Sequence, residues 1–149
     1  MFADTKPSAT DIARNLYYPC YFSLEYALNF YGIMTETVFQ YTLVSTKTTR
    51  HFNTAAGTFI YQKIKKEAFT GFDPETLMAE KEKALVDYFY LNSKKLEASN
   101  LFWKSSRLEA GLTKINFKKA LNYAKLFKSK KLELLLNSFK TYAKSHQNY

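Results

Sequence analysis

The chain has 149 residues, of which 46% are hydrophobic and 17% aromatic, and 22 Lys and Arg against 13 acidic residues give a formal charge of +9. A chain of this length can bury a sizeable core without a disulfide or a structural metal. Its 13 phenylalanines and 12 tyrosines exclude a disordered tail, because large aromatic side chains supply the burial that offsets the entropy of ordering. We therefore expect a single domain over residues 1–149.

The positive charge is concentrated in one part of the chain. Residues 1–91 carry nine basic and ten acidic side chains, whereas residues 92–149 carry thirteen basic and three acidic ones. This asymmetry favours a polyanionic partner, with nucleic acid the first candidate and an anionic membrane the second. The apolar stripes of the C-terminal segment are needed for packing, so we predict no membrane partner.

Cysteine usage and the N-terminal residues bear on the compartment. Cys20 is the only cysteine, which excludes an internal disulfide, and together with His51 and His146 it cannot form a zinc site within the chain. The first 15 residues contain no apolar signal region, and no run of 18 apolar residues occurs. We expect a cytoplasmic protein that holds neither a metal nor another cofactor.

Cys20 lies among aromatic residues, and we interpret it as a buried small side chain rather than a reactive thiol.

The N-terminal third predicts two helices. A short one covers residues 8–15, with Ser8 or Thr10 as its N-cap. The second follows Ser23 as its N-cap, carries apolar residues at helical spacing, and stops at Gly32, because glycine readily adopts the left-handed conformation that ends a helix.

The next segment is rich in β-branched and aromatic residues of roughly alternating polarity, which predicts strands. They cover residues 37–44, 49–52 and 58–64. The connections between them have hairpin length, which favours an antiparallel meander.

The remainder of the chain predicts helices. One covers residues 75–90. Two amphipathic helices follow at 117–127 and 132–143, joined by the basic turn 128–131, and they are expected to pack as a hairpin. The predicted fold is α+β: a small antiparallel β-meander flanked by helices within residues 10–92, with a basic helical hairpin in an extension over 93–149.

Motifs of common enzyme classes are largely absent, and we expect a protein that is not an enzyme. Four glycines supply neither a phosphate-binding loop nor a nucleophile elbow, because both need closely spaced glycines. The acidic residues Glu80, Glu82 and Asp87 form the basis of a weaker hypothesis, a metal-dependent nuclease. The favoured alternative is structural: Lys83 lies at helical spacing from Glu80 and Asp87, which suits solvent-exposed ion pairs.

The lysines of the two C-terminal helices are the best chemical signal in the sequence. They are interleaved with aromatic residues and could follow a phosphate backbone through charge neutralisation. A solvated helix face is the alternative, and the sequence leaves both open. The candidate nucleic-acid-binding residues are Lys118, Lys119, Lys125, Lys128, Lys130 and Lys131.

Two further motifs resemble a known family. YPCYFSLEYALNFYGI at 18–33 and EKALVDYFYL at 82–91 are similar to the C-terminal domain of the AbiEi family, whose members are antitoxins of type IV toxin–antitoxin systems related to abortive infection. Cys20 and Tyr26 replace serines of the family pattern. The matching residues are Pro19, Tyr21, Ser23, Leu24, Glu25, Ala27, Leu28, Tyr31, Gly32, Glu82, Lys83, Ala84, Leu85 and Asp87.

The resemblance implies a non-enzymatic antitoxin and transcriptional regulator that counters a nucleotidyltransferase-like toxin and assists repression of its operon, with DNA as a further partner. Typical members begin with a winged helix-turn-helix domain, whereas 18 residues precede Pro19 here. The resemblance therefore implies antitoxicity for this chain, not sequence-specific repression on its own.

Most motif residues are also explained by a fold alone, since apolar members at helical spacing form a core stripe. Glu25 and Asp87 are the polar members that a core does not require. Each is expected either to brace the helices through a buried hydrogen bond or to face a partner, and the sequence does not distinguish these roles.

Overall fold

Helices and a four-stranded sheet make the fold α+β, as the sequence predicts. The computed structural model describes residues 7–109 and 114–146. The helices are α1 (Ala9–Leu16), α2 (Leu24–Phe30), α3 (Lys81–Leu91), α4 (Asn100–Ser105), α5 (Phe117–Lys125) and α6 (Lys130–His146). The strands are β1 (Cys20–Phe22), β2 (Tyr41–Ser45), β3 (Arg50–Thr54) and β4 (Gly57–Lys63).

The predicted antiparallel meander is wrong, because the sheet is mixed. Its strand order is β1-β2-β4-β3, so β4 lies between the two strands that precede it in the chain. β4 pairs parallel with β2 and antiparallel with β3, and β1 pairs antiparallel with β2. Residues 46–49 therefore connect β2 with the far side of β4, instead of forming a hairpin.

Burial explains this order. Residues 42–45 of β2 are all buried, which suits a central strand covered on both faces, whereas most residues of β3 are exposed or half-buried. The short strand β1, which the sequence pattern did not predict, occupies the edge beside β2. The meander is predicted from the length of the connections, and connection length alone does not identify which strand pairs with which.

The helix predicted at 75–90 begins later, at Lys81. Asp73 stabilises a turn instead, since its Oδ1 accepts hydrogen bonds from the backbone N–H groups of Glu75 at 2.8 Å and Thr76 at 3.4 Å. Leu77 then adopts a left-handed φ of 60°. Its carbonyl accepts the N–H of Phe22 at 2.6 Å, so this segment pairs with β1 rather than forming a helical turn.

The helix α3 is the centre of the molecule. Residues 82–89 are buried without a break, and α2, α5 and α6 all pack against it. The rings of Phe89, Trp103 of α4 and Phe139 of α6 contact one another, with centroid distances of 5.2 to 5.5 Å. The predicted helical hairpin is confirmed as α5 and α6, and it shares one buried core with the motif region.

No helix in the described ranges is both long and apolar enough to cross a bilayer.

Candidate functional site

Four motif residues meet in one buried polar network. Asp87 of α3 is its centre: Oδ1 accepts a hydrogen bond from Lys83 Nζ at 2.6 Å. Oδ2 accepts two more, from the hydroxyls of Tyr21 at 2.7 Å and Ser23 at 2.8 Å. Lys83 Nζ also donates to the Tyr21 hydroxyl at 2.7 Å. The network joins the two sequence motifs, since Tyr21 and Ser23 lie 66 and 64 residues before Asp87.

The network is fully shielded from solvent. Tyr21, Ser23, Lys83 and Asp87 are each 0% exposed. Burial raises the pKa of Asp87, although the positive charge of Lys83 opposes that shift. Burial likewise lowers the pKa of Lys83, opposed by the charge of Asp87. Since Asp87 accepts three hydrogen bonds and contacts an ammonium, the geometry favours the ionised pair, with each charge compensating the other.

Aromatic rings enclose the ammonium group. Lys83 Nζ lies 5.1 Å from the ring centroid of Phe127 and 5.4 Å from that of Tyr21, within range of cation–π attraction. Phe72 stacks on the Tyr21 ring with a centroid distance of 4.5 Å. A Cβ atom at Gly71 would lie 2.8 Å from Lys83 Cγ, so glycine is needed where the chain passes over this side chain. The site is closed, which favours a bracing role for Asp87.

The bracing role of Asp87 corrects two expectations. The pair of Lys83 and Asp87 was predicted to be solvent-exposed, but it is buried, because α3 is covered on all sides. Ser23 occupies the N-cap position of α2 as predicted, yet its hydroxyl donates to Asp87 and does not cap the helix. Thr42 of β2 provides the cap instead, since its hydroxyl oxygen accepts the Tyr26 N–H at 2.9 Å.

Glu82, another motif residue, anchors the C-terminal hairpin. Its side chain is buried, and Oε2 accepts the backbone N–H of Asn116 at 3.0 Å. Asn116 is the N-cap of α5, with its own Oδ1 accepting the Lys119 N–H. A carboxylate at this position also interacts favourably with the positive end of the helix dipole. Glu82 therefore joins α3 to α5.

Other motif residues shape the chain around α2. Gly32 adopts a left-handed φ of 78° after the helix, as the sequence predicts. Leu24 has a φ of 61°, a strained conformation for a bulky residue, and its side chain is fully buried. The Tyr31 hydroxyl donates to the Ala79 carbonyl at 2.7 Å, and the Pro19 carbonyl accepts from the Ser45 hydroxyl at 2.6 Å.

Glu25 differs from the rest of the motif. It is half-buried, and it lines two small clefts that meet near Arg107. Its negative charge, after burial, contributes to raising the pKa of Tyr88. Within residues 7–109 and 114–146, its carboxylate has neither a hydrogen bond nor an ion pair. Of the two polar residues left open by the sequence, Asp87 braces the helices and Glu25 remains accessible.

The acidic residues of the nuclease hypothesis do not converge. Each carboxylate already accepts hydrogen bonds elsewhere: Asp87 within the buried network, Glu82 from the Asn116 N–H, and Glu80 from Lys119 of α5. No group of three His, Cys, Asp or Glu side chains in the part of the chain that the structure describes could hold a metal ion. The His146 side chain lies outside that part.

Of the six candidate nucleic-acid-binding lysines, one is already paired. Lys119 Nζ donates to Glu80 Oε2 at 2.8 Å, and Tyr123, one turn further along α5, donates to Oε1 of the same carboxylate. The role proposed for these lysines stays a prediction. Those exposed to solvent are Lys118, Lys125, Lys128, Lys130 and Lys131.

A lysine from the near-neutral half of the chain joins this group. Lys65 Nζ donates to the Phe127 carbonyl at 2.5 Å, at the turn between α5 and α6. No local pattern links positions 65 and 127, so sequence reasoning missed this residue. We define the basic surface as the exposed lysines at the turn between α5 and α6, namely Lys65, Lys125, Lys128, Lys130 and Lys131. Lys118 lies in the first turn of α5, away from that turn.

The aromatic residues interleaved with the C-terminal lysines mostly belong to the core. Phe117, Phe127 and Phe139 are buried, and only Tyr123 is half-buried. The basic surface is therefore a phosphate-binding candidate without aromatic rings of its own.

Cys20 is buried, as expected, with 1% of its surface exposed. Burial raises the pKa of its thiol to about 11, and the charge of Arg14 only partly opposes the shift. At neutral pH the thiol is protonated, which supports its role as a small core residue.

Comparison with known proteins yields no matching family model, no curated relative and no solved structure. The resemblance to the AbiEi family therefore rests on the two motifs.

Proposed function

We propose that this chain is a cytoplasmic, non-enzymatic antitoxin module similar to the C-terminal domain of the AbiEi family, which counters a nucleotidyltransferase-like toxin. One observation supports the proposal: Tyr21 and Ser23 of the first motif bond directly to Lys83 and Asp87 of the second inside the core. Buried polar networks whose members are all satisfied specify one core arrangement. The contacts between the two motifs support the proposal, because they show that the motif residues act together in one fold of this chain.

Co-expression with a nucleotidyltransferase-like toxin of a type IV toxin–antitoxin system tests the proposal. We expect growth arrest when the toxin is expressed alone and recovered growth when this chain is present. The control replaces this chain with an unrelated small protein at equal soluble expression. Continued arrest despite soluble expression of the chain would overturn the antitoxin function.

A variant of Glu25 sharpens this experiment. Glu25 is the motif residue whose carboxylate lies at an open cleft without a partner among the described residues, so it is the motif's best candidate for contacting another protein. We expect Glu25→Arg to weaken protection while the unfolding midpoint is preserved. Glu97→Arg is the matched control, since Glu97 is exposed and outside the motif.

Binding of nucleic acid through the basic surface is a second candidate function. The contact of Lys65 with the Phe127 carbonyl favours it, because it brings a cation from the first half of the chain to the C-terminal lysines. Clustered cations that neutralise phosphates release counterions, so the affinity falls with salt. This activity is also the one through which the chain would assist repression.

Two triple variants of equal charge test the second function. Lys128→Gln, Lys130→Gln and Lys131→Gln remove charge from the basic surface, whereas Lys94→Gln, Lys95→Gln and Lys104→Gln remove exposed lysines elsewhere. We expect the first set alone to weaken nucleic-acid binding and to lower the slope of log K against log salt, by about 0.7 to 0.9 per lost phosphate contact. Equal effects of both sets would exclude a localised surface.

A further inference from the structure

An open cleft of about 850 Å³ lies between α2, the 71–80 segment and α5. Six of its fourteen lining residues are aromatic, and exposed apolar surface concentrated in a groove is typical of a ligand-binding site. The aromatic residues that line it are Phe22, Tyr26, Phe30, Tyr31, Phe72 and Tyr123. We call it the aromatic cleft.

Parts of this wall are available to a ligand. Phe30 is 65% exposed on the rim, although it lies in a helix that packs on the core. The Tyr26 ring is half-buried, and its hydroxyl has no hydrogen-bond partner within the described ranges. A volume of this size lies within the usual range for small-molecule sites, about 300 to 1,000 Å³.

Charge limits what the aromatic cleft can accept. Its charged lining residues are Asp73 and Glu80, and no lysine, arginine or histidine among the described residues lines it. Hydrogen bonds from Lys119 and Tyr123 keep the pKa of Glu80 below its ordinary value despite the opposing effect of burial, so this carboxylate is ionised at neutral pH. The lining disfavours phosphate but can accept hydrogen bonds from amino groups.

Helix α5 connects the aromatic cleft with the basic surface. Tyr123 lines the cleft, and Lys125 of the basic surface is the last residue of the same helix. Lys119, one turn before Tyr123, reaches the cleft wall, where its Nζ lies 2.8 Å from Glu80 Oε2. Lysines that favour phosphate therefore lie within reach of rings that favour a flat, uncharged group.

We propose that the aromatic cleft binds an unpaired base of a single-stranded nucleic acid whose phosphates lie on the basic surface. Base stacking on aromatic side chains combined with a basic groove is the usual means of binding single strands. A base within a duplex cannot enter a concave site, because it is paired and stacked on both faces. Asp73, of which only Oδ1 accepts the turn's backbone N–H groups, offers an acceptor to exocyclic amino groups such as N4 of cytosine. This inference rests on the second function proposed above.

The test compares strands of equal charge that differ only in their bases. Fluorescence anisotropy measures binding of a labelled strand of about 12 nucleotides and of its abasic counterpart, as DNA and as RNA. We expect the strand with bases to bind at least about tenfold more tightly than the abasic strand, and more tightly than a duplex of the same length. Comparable affinity for both single strands, or a preference for duplex, would overturn the base-binding inference while leaving the nucleic-acid function intact.

A point variant assigns the effect to the cleft. Phe30→Ala should reduce affinity for the base-containing strand to nearly that of the abasic strand, without changing the salt dependence. Leu134→Ala is the control, because Leu134 is also an exposed apolar residue, 59% accessible, but lies on α6. If Phe30→Ala still binds the base-containing strand as much more tightly than the abasic strand as the unmodified protein does, the inference is contradicted. If the unmodified protein binds no strand at all, both the inference and the second function are contradicted.

Discussion

Lys83 and Asp87 lie one turn apart on α3, with Nζ 2.6 Å from Oδ1 and both side chains 0% exposed. Arg107 and Glu36 form an ion pair of the same length, 2.6 Å, but their side chains are 55% and 54% exposed. The two pairs thus differ in burial at equal separation. Loss of one partner leaves an uncompensated charge in the buried pair, whereas solvent screens the exposed one.

We expect Asp87→Asn to lower the free energy of unfolding by about 3 to 5 kcal/mol, because it leaves the Lys83 ammonium buried without a counter-charge. Glu36→Gln should lower it by less than about 1 kcal/mol. Urea denaturation followed by circular dichroism measures both values. Equal decreases in the free energy of unfolding of the two variants would show that burial does not determine how much an ion pair contributes to stability.

A double-mutant cycle isolates the interaction between the two side chains. Lys83→Met in the Asp87→Asn background removes the orphaned charge, so the double variant should be less destabilised than the sum of the single variants. Strict additivity within about 0.5 kcal/mol would contradict a direct coupling between Lys83 and Asp87.

The thiol of Cys20 should be unreactive in the folded protein. With a pKa raised to about 11 by burial, about 0.1% of the thiol is ionised near pH 8, compared with about a quarter of an ordinary thiol. We expect Ellman's reagent to react about two orders of magnitude more slowly with folded protein than with protein unfolded in urea. The group's folded pKa is raised, so its contribution to stability is lost as the pH rises above the ordinary thiol value. Native and unfolded rates within about threefold would contradict the burial of Cys20.

Much of the local structure is predictable from the sequence, but its pairing is not. The helix after Ser23, the stop at Gly32 and the α5–α6 hairpin follow from spacing and turn chemistry, which are local properties. The parallel pairing of β2 with β4 and the contact between Lys65 and Phe127 join distant segments. A pattern within one segment carries no information about which distant segment it will contact.

The buried network illustrates the same limit at the candidate site. The spacing of Lys83 and Asp87 correctly indicated that they interact, but an i, i+4 pair looks the same on a solvated helix and on a buried one. The signal for burial was the nearly continuous apolar run that follows Lys83 in α3, since a helix that is apolar all round lies inside a protein. The local pattern predicts a cap at Ser23, because the actual partner of its hydroxyl, Asp87, lies 64 residues away.

The only tryptophan, Trp103, and the only cysteine, Cys20, allow unfolding of the C-terminal helices and of the sheet to be measured separately. Trp103 of α4 is fully buried, and its indole N–H donates to Ser138 of α6 at 2.8 Å. Cys20 lies in β1, on the sheet. Because both belong to one hydrophobic cluster, we expect Trp103 fluorescence and Cys20 accessibility to change at the same urea concentration. Loss of Trp103 fluorescence before Cys20 becomes reactive would show that the C-terminal helices unfold separately from the sheet.

Acid should weaken the link between the 71–80 segment and α5 through Glu80. Burial alone would raise the pKa of this carboxyl, but hydrogen bonds from Lys119 and Tyr123 outweigh it and hold the pKa below the ordinary value. A lowered folded pKa gives stability that is present above the ordinary glutamate pKa, about 4.3, and is lost as the pH falls through the folded value. We expect Glu80→Gln to lower stability at neutral pH and to make the urea midpoint less sensitive to acid between about pH 5 and 3. Glu97→Gln, at an exposed position, should keep the acid response of the unmodified protein. If Glu80→Gln and the unmodified protein lose stability with the same slope over this range, Glu80 does not stabilise the fold through its charge.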